Sequence, residues 1–170
     1  MICSLKFLNL RYYLSKMISN IKPVTQADIP GLKQVLDSCD LFPSEYLDEM
    51  ISDYVNNPDS QDIWFTYLLD DKPAAIGYCV PEKLTDGTYN LLAIGVAEES
   101  QRNGIASQMM NYIEQVLKSK MARILIVETS SDDAQLAARN FYKKIGYTQV
   151  AVINDFWKEG EGKIVFLKKL

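Results

Sequence analysis

The sequence predicts a mixed α+β sandwich built on one central sheet, and three observations predict it. Apolar residues recur at helical spacing between Ile29 and Val55, β-branched and aromatic runs broken by two turns fill Ile63 to Asn90, and Leu91–Thr129 reads as strand, helix, strand. With 170 residues, 48% of them hydrophobic, the chain can bury one sizeable core. No repeat or low-complexity stretch marks an internal boundary, so residues 18–170 read as a single domain. Residues 1–17 read as an N-terminal extension outside the core. Lys6 and Arg11 interrupt any signal-like apolar stretch there, and no small-residue cleavage site follows.

The first helix opens at Thr25-Gln-Ala-Asp28, a capping box with Asp in place of Glu, followed by Pro30 in the first turn. Ile29, Leu32, Val35 and Leu36 form its stripe, and it runs to about Ser38. A second begins at Pro43-Ser44, carries Leu47, Met50, Ile51, Tyr54 and Val55 on one face, and stops before Asn56-Asn57-Pro58. Three antiparallel strands follow over about Ile63–Leu69, Ala74–Pro81 and Thr88–Val96, separated by Asp70-Asp71-Lys72-Pro73 and Thr85-Asp86-Gly87. The last is apolar from Leu91 to Val96, the pattern of a strand buried on both faces.

A third helix, with Ile105, Met109, Ile113, Val116 and Leu117 on one face, reaches Lys118 or Lys120. Arg123–Thr129 is then an apolar strand, reached by a right-handed crossover and therefore parallel to the one before. Ser130-Ser-Asp-Asp133 caps a fourth helix whose inner face reads Ala134, Ala137, Ala138, Phe141 and Ile145, closed by Gly146. On that spacing Phe141 is a core residue. Strands over about Thr148–Ile153 and Lys163–Leu167 flank an acidic loop, Asn154–Gly162, and could either close the sheet or pair across a homodimer.

Composition excludes several chemistries. A net charge of −4 argues against a phosphate-backbone partner, so no nucleic acid is expected. No apolar run approaches the ~20 residues needed to span a bilayer, so no membrane partner is expected. Cys3, Cys39 and Cys79 are odd in number and lack CxxC spacing, which suits a reducing cytoplasmic location and suggests neither disulfide nor zinc. The absence of histidine removes Ser-His and Cys-His pairs, the usual imidazole base and most His-containing metal sites, and no metal is expected. Cys79, on a strand, reads as a small core residue.

A buried strand that feeds directly into a helix leaves that helix's first amides unpaired at the positive end of its dipole, which makes an anion site. The residues there are Gln101-Arg102-Asn103-Gly104-Ile105-Ala106. Gly104 admits close approach of the backbone, Ala106 adds almost no bulk and Arg102 can supply a cation. It is neither a Walker A loop nor a GxGxxG fingerprint.

The pattern Gln/Arg-x-x-Gly-x-Gly/Ala after an apolar strand resembles the coenzyme A motif of the GCN5-related N-acetyltransferases (GNAT superfamily), with Gln101, Gly104 and Ala106 in register. Ala138-Arg139-Asn140-Phe141-Tyr142-Lys143-Lys144-Ile145-Gly146-Tyr147 is similar to that family's second motif, A-x-x-x-Y-x-x-x-G-F/Y. The likeness covers about Ile21 to Leu170, and is narrower to bacterial members of unassigned substrate. It implies the acyl-CoA N-acyltransferase fold: a mixed, mostly antiparallel sheet of about six to seven strands flanked by helices, with strands 4 and 5 parallel and splayed.

The resemblance also implies chemistry. Acetyl-CoA would be the co-substrate and a primary amine of a small molecule or peptide the acceptor, attacking directly through a tetrahedral intermediate. Ile94, Gly95 and Val96 would carry the pantetheine arm, with the Val96 amide as oxyanion donor. The amides of residues 102–106 would hold the pyrophosphate. Tyr142 is the candidate general acid, since a phenol suits a thiolate leaving group; core packing beside Phe141 is the alternative. The general base stays open among Glu128 at the end of the fifth strand, Glu82, Glu45 and a water chain. Many relatives carry Asn seven residues before the tyrosine as a coenzyme ligand, whereas this chain has Gln135, which leaves that contact in doubt. A catalytically silent acyl-CoA-binding sensor or interaction module fits the same motifs.

Overall fold

The structure, a computed structural model, describes residues 20–170, and the expected extension over residues 1–17 lies outside the described residues. Seven strands, β1 (Ile21–Pro23), β2 (Ile63–Leu69), β3 (Lys72–Pro81), β4 (Thr88–Val96), β5 (Ile124–Ser130), β6 (Thr148–Lys158) and β7 (Glu161–Lys169), follow the order β1-β2-β3-β4-β5-β7-β6 in one sheet. The helices are α1 (Ile29–Cys39), α2 (Leu47–Asn56), α3 (Ile105–Ser119) and α4 (Leu136–Lys144). The order of elements is the one the sequence predicts, with β1 added. The chain divides into two compact units, one comprising the residues up to Gly77 with Ile94–Tyr112, the other Tyr78–Ala93 with Ile113–Leu170.

In the first unit β1 pairs antiparallel with β2, Ile21 opposite Tyr67. The capping box forms: Asp28 Oδ2 accepts from the Thr25 amide and from Thr25 Oγ1, both at 2.7 Å. Leu32, Val35 and Leu36 of α1 and Leu47 and Ile51 of α2 are buried with Trp64 and Phe65 of β2. Glycine is required at position 77, because a Cβ there would lie 2.3 Å from the Phe65 ring. That ring in turn tilts against Tyr112 of α3 at 5.5 Å.

In the second unit β4 and β5 run parallel, but their pairing begins at Thr88↔Ile124 and ends at Leu91↔Val127. Beyond it β4 continues to Val96 and β5 to Ser130, and β5 stays paired with β7 along its whole length. The expectation that β4 is covered on both faces fails at Leu92, which is 51% exposed, because apolar composition alone does not supply a covering layer.

Two further expectations are corrected here. The inner face of α4 is Arg139 and Tyr142, whereas Ala134 and Ala137 are exposed and Phe141 is only half-buried. Arg139 turns inward because its guanidinium Nη1 donates to the carbonyls of Ser130 and Asp132, satisfying groups that the end of β5 leaves open. The segment read as the acidic loop Asn154–Gly162 is mostly strand: β6 runs to Lys158, β7 starts at Glu161, and the turn is Glu159-Gly160. Gly160, at φ 79°, and the Asp155 side chain that accepts its amide make so tight a turn feasible.

Candidate functional site

After Val96 the chain makes a short 3-10 turn at Glu98–Ser100 and enters α3 through Gln101–Gly104. Gly104 sits at φ 77° and Arg102 at φ 62°, so the loop twice adopts the left-handed conformation. A non-glycine residue held there costs about 1 kcal/mol or more, so this shape is imposed by its surroundings. The amides from Arg102 through Ser107 meet no acceptor among the described residues, and the helical ladder begins only with the Gln108 amide donating to the Gly104 carbonyl at 3.1 Å. Arg102, Asn103 and Gly104 are exposed. A run of outward amides at a helix start, backed by the helix dipole, is a site for a phosphate-like anion.

The loop is held from behind. Gln101 Nε2 donates to the Val96 carbonyl at 3.1 Å, so this side chain ties the loop to the strand end. Asn103 Nδ2 reaches the Ser100 carbonyl at 3.3 Å, which makes it a loop-bracing residue as well. Ser38 Oγ accepts from the Glu98 amide at 2.7 Å and donates to the Glu99 carboxylate. At Gly95 a Cβ would meet Leu41 Cδ2 at 2.9 Å and Cys39 Sγ at 3.0 Å, so the end of α1 packs directly on the strand there. Burial pushes the Cys39 thiol pKa up, so it remains a neutral thiol. Sequence reasoning missed Ser38, Cys39 and Leu41; they lie some sixty residues from the strand they support, and no local pattern announces that contact.

Ile94, Gly95, Val96 and the loop Gln101–Ala106 thus come together in the first unit. Glu128, Gln135 and Tyr142 belong to the second, and among the described residues these three share no hydrogen bond with one another. Glu128 occupies the first position of β5 beyond the paired stretch, and its Oε2 accepts from Lys163 Nζ at 3.1 Å. Gln135 is exposed in the turn before α4, its amide donating to the Asp132 carbonyl. Of the other base candidates, Glu82 accepts from Asn90 Nδ2 at 2.9 Å, and Glu45 is exposed.

Tyr142 is 6% exposed and is gripped by three rings, Phe141 at 5.5 Å, Phe166 at 5.6 Å and Tyr147 at 6.0 Å. Burial raises its pKa well above the usual phenol value, so the proton stays on. Its hydroxyl has no hydrogen-bond partner among the described residues. Tyr147, by contrast, is engaged: its hydroxyl contacts Glu114 at 3.1 Å, and Lys168 Nζ binds both oxygens of that carboxylate at 2.8 and 2.9 Å. Tyr147 is structural, as its network with Glu114 and Lys168 shows, while the Tyr142 hydroxyl is uncommitted among the described residues.

The sequence profile of the acetyltransferase (GNAT) family matches residues 31–147, most of the chain, and the protein belongs to that family. Acetyl transfer is the family's chemistry. No curated protein matches the chain. Among solved structures it is similar to a GNAT-family acetyltransferase from Desulfovibrio desulfuricans, at 22% identity over 88% of this chain and 97% of that one, with a TM-score of 0.82. It is also similar to the ribosomal-protein-S18-alanine N-acetyltransferase of Escherichia coli (16% identity, 88% and 92% covered, TM-score 0.70). A third is the aminoglycoside 6'-N-acetyltransferase of Enterococcus faecium (18%, 88% and 96%, 0.71). At these identities the likeness is one of fold. No helix among the described residues is long and apolar enough to cross a membrane.

Proposed function

We propose that the protein transfers an acetyl group from acetyl-CoA to a primary amine of a small molecule or peptide. The observation that carries this reading is the run of amides from Arg102 to Ser107 at the start of α3 that meet no acceptor among the described residues, with Gly104 leaving open space where a side chain would stand. Those donors suit the coenzyme's pyrophosphate, and Arg102 adds a cation. That an aminoglycoside 6'-N-acetyltransferase of like fold is known in complex with coenzyme A agrees with this (16% identity, TM-score 0.65).

The thioester supplies an activated acyl group and a thiolate leaving group. Backbone of Ile94–Val96 would hold the pantetheine arm by strand-like pairing, and the Val96 amide would polarise the acyl carbonyl. Tyr142 would donate its hydroxyl proton to the departing sulfur; its uncommitted donor and elevated pKa support that role. Glu128 would take the proton released by the amine, with Lys163 holding one carboxylate oxygen. Gln135 is the weakest coenzyme contact of the set, being exposed before α4. The cytoplasm is the compartment where such a co-substrate is available.

Isothermal titration of acetyl-CoA and free CoA tests the reading, with Gly104→Glu as the variant that puts a negative side chain at the pyrophosphate. Micromolar binding lost in a folded variant, followed by amine-dependent CoA release that falls in Tyr142→Phe, is expected. No binding by the folded parent refutes it. Binding without turnover on any amine would leave a coenzyme-binding module instead.

A further inference from the structure

Two charged side chains of the second unit are drawn into its interior and take no part in the proposed chemistry. Glu114 of α3 is 7% exposed. Its carboxylate is held by Lys168 of β7, whose Nζ reaches Oε1 at 2.8 Å and Oε2 at 2.9 Å, and Oε1 also accepts from the Tyr147 hydroxyl at 3.1 Å. Burial first, and then the Glu114 charge beside it, raises the Tyr147 pKa, so the phenol keeps its proton and remains the donor. Lys168 Nζ donates a further bond to the Ile145 carbonyl just after α4 and lies 5.2 Å from the centre of the Tyr147 ring. A buried ion pair is a poor device for stability alone, because an apolar pair of similar volume packs as well without desolvating two charges. What it adds here is direction, since a carboxylate gripped on both oxygens fixes the point to which the Tyr147 hydroxyl is tied.

That fixed point bears on Tyr142. In a continuous helix, residues five apart face directions about 140° apart. Gly146, at φ 89°, turns the chain back instead, so that the Tyr147 amide donates to the Tyr142 carbonyl at 3.0 Å and the two rings meet at 6.0 Å. β7 serves both residues, because Phe166 and Lys168 lie two apart on one face of the strand, the first against the Tyr142 ring at 5.6 Å and the second on Glu114. The Tyr142 hydroxyl meets no partner among the described residues, so no hydrogen bond of its own sets its direction. That direction depends on the three rings around it. Phe141 and Phe166 carry no polar atom, and Tyr147 alone of the three is tied at its far end.

We infer that Glu114 and Lys168 are positioning residues, which through Tyr147 hold the Tyr142 ring so that its hydroxyl keeps one direction. The inference rests on the acid role proposed for Tyr142. The proton transferred comes from Tyr142 alone, and Glu114 and Lys168 neither gain nor lose one. A site held within a fraction of an ångström needs such a supporting layer, because the reacting side chain cannot lock its own rotamer.

Tyrosine-ring NMR of the full chain, with Tyr142→Phe assigning the Tyr142 signal, reads the geometry. Steady-state kinetics on the amine that the parent turns over fastest read its consequence. Two variants are compared: Tyr147→Phe, which keeps the ring and removes only the tie, and the pair Glu114→Leu with Lys168→Met, which exchanges both charges for apolar groups of similar size. Tyr147→Phe leaves Glu114 bound to Lys168 and keeps the test open if the paired variant does not fold. In each folded variant the Tyr142 signal is expected to shift and broaden and kcat to fall at least tenfold, while KM for acetyl-CoA stays within twofold. In the Tyr142→Phe background the same changes should cost less than twofold more, because the group they aim is gone. A Tyr142 signal unmoved in Tyr147→Phe, or a loss of kcat as large without the Tyr142 hydroxyl as with it, overturns the inference. Should Tyr142→Phe itself leave kcat unaltered, the acid reading fails separately, and the ring signal alone decides whether the pair holds Tyr142.

Discussion

Two helices in this protein follow directly from a strand of the parallel pair, and their first turns are built in opposite ways. At α3 the amides of Arg102–Ser107 meet no acceptor among the described residues, the loop carries two left-handed residues, and the nearby side chains of Gln101 and Asn103 brace carbonyls instead of capping amides. At α4 side chains and a neighbouring strand close most of the approach. Asp132 Oδ1 accepts from the Ala134 amide, Ser130 Oγ from the Asp132 amide, and the Gly162 carbonyl from the Ser131 amide, while Arg139 fills the carbonyls of Ser130 and Asp132. One helix start is left open among the described residues, which is what the proposed coenzyme site requires. The other is largely satisfied by its own residues, and its helix carries Tyr142 against the rings of Phe141, Tyr147 and Phe166. In the proposed reaction, binding and positioning would thus be divided between two helix starts that each follow a strand of the parallel pair.

The sharpest way to break that division is Tyr142→Phe, which should lower kcat by about a hundredfold or more while leaving coenzyme affinity and melting temperature unchanged, because the lost hydroxyl bonds to no described residue. Steady-state kinetics beside thermal denaturation read it. Since burial holds the phenol's pKa above its ordinary value, the protonated acid persists as pH rises, and the alkaline limb of the rate profile should not report Tyr142 titrating near 10. Gly104→Glu should weaken CoA binding by about a hundredfold, roughly 3 kcal/mol, whereas Ala134→Glu at the closed helix start should leave binding unchanged; equal losses by titration calorimetry would end the distinction between the two termini.

Smaller effects fall on stability. Arg139→Leu removes the donor to two carbonyls and should cost about 2 kcal/mol in denaturant unfolding. Asp132→Ala removes the α4 cap and should cost ~1 kcal/mol, with no change in coenzyme affinity. Smallest is an acid effect at α1, whose start is closed by Asp28. Burial pushes that carboxyl's pKa up, but the Lys22 and Thr25 contacts outweigh burial and hold it below the usual value. A depressed folded pKa means the contribution is present above the unfolded value and is lost as pH falls through the folded one. Asp28→Asn should therefore flatten the drop in melting temperature below about pH 4.

The elements that were legible are those whose signal is local. Thr25–Asp28, the turns at Asp71 and Gly87, and Gly104 between a strand and a helix each state their conformation within a few residues, and outside the β6–β7 hairpin the strand and helix bounds fall close to those expected. The candidate site was legible where backbone chemistry makes it, in the amides after Gln101. It was not legible where distant residues make it. Ser38 and Leu41 support Val96 and its loop from another helix, and Lys163 reaches Glu128 from across a strand pair.

The sequence by itself determined the order of strands and helices, the open helix start at Gly104 and the absence of imidazole chemistry, because each depends on residue type and near neighbours. Only the tertiary structure decided that α4 turns Arg139 and Tyr142 inward and not Phe141, that Leu92 is uncovered, and that β6 extends to Lys158 as a bare edge. Periodicity counts apolar side chains; which face is buried depends also on the carbonyls, rings and free strand edges that long-range contacts bring to it.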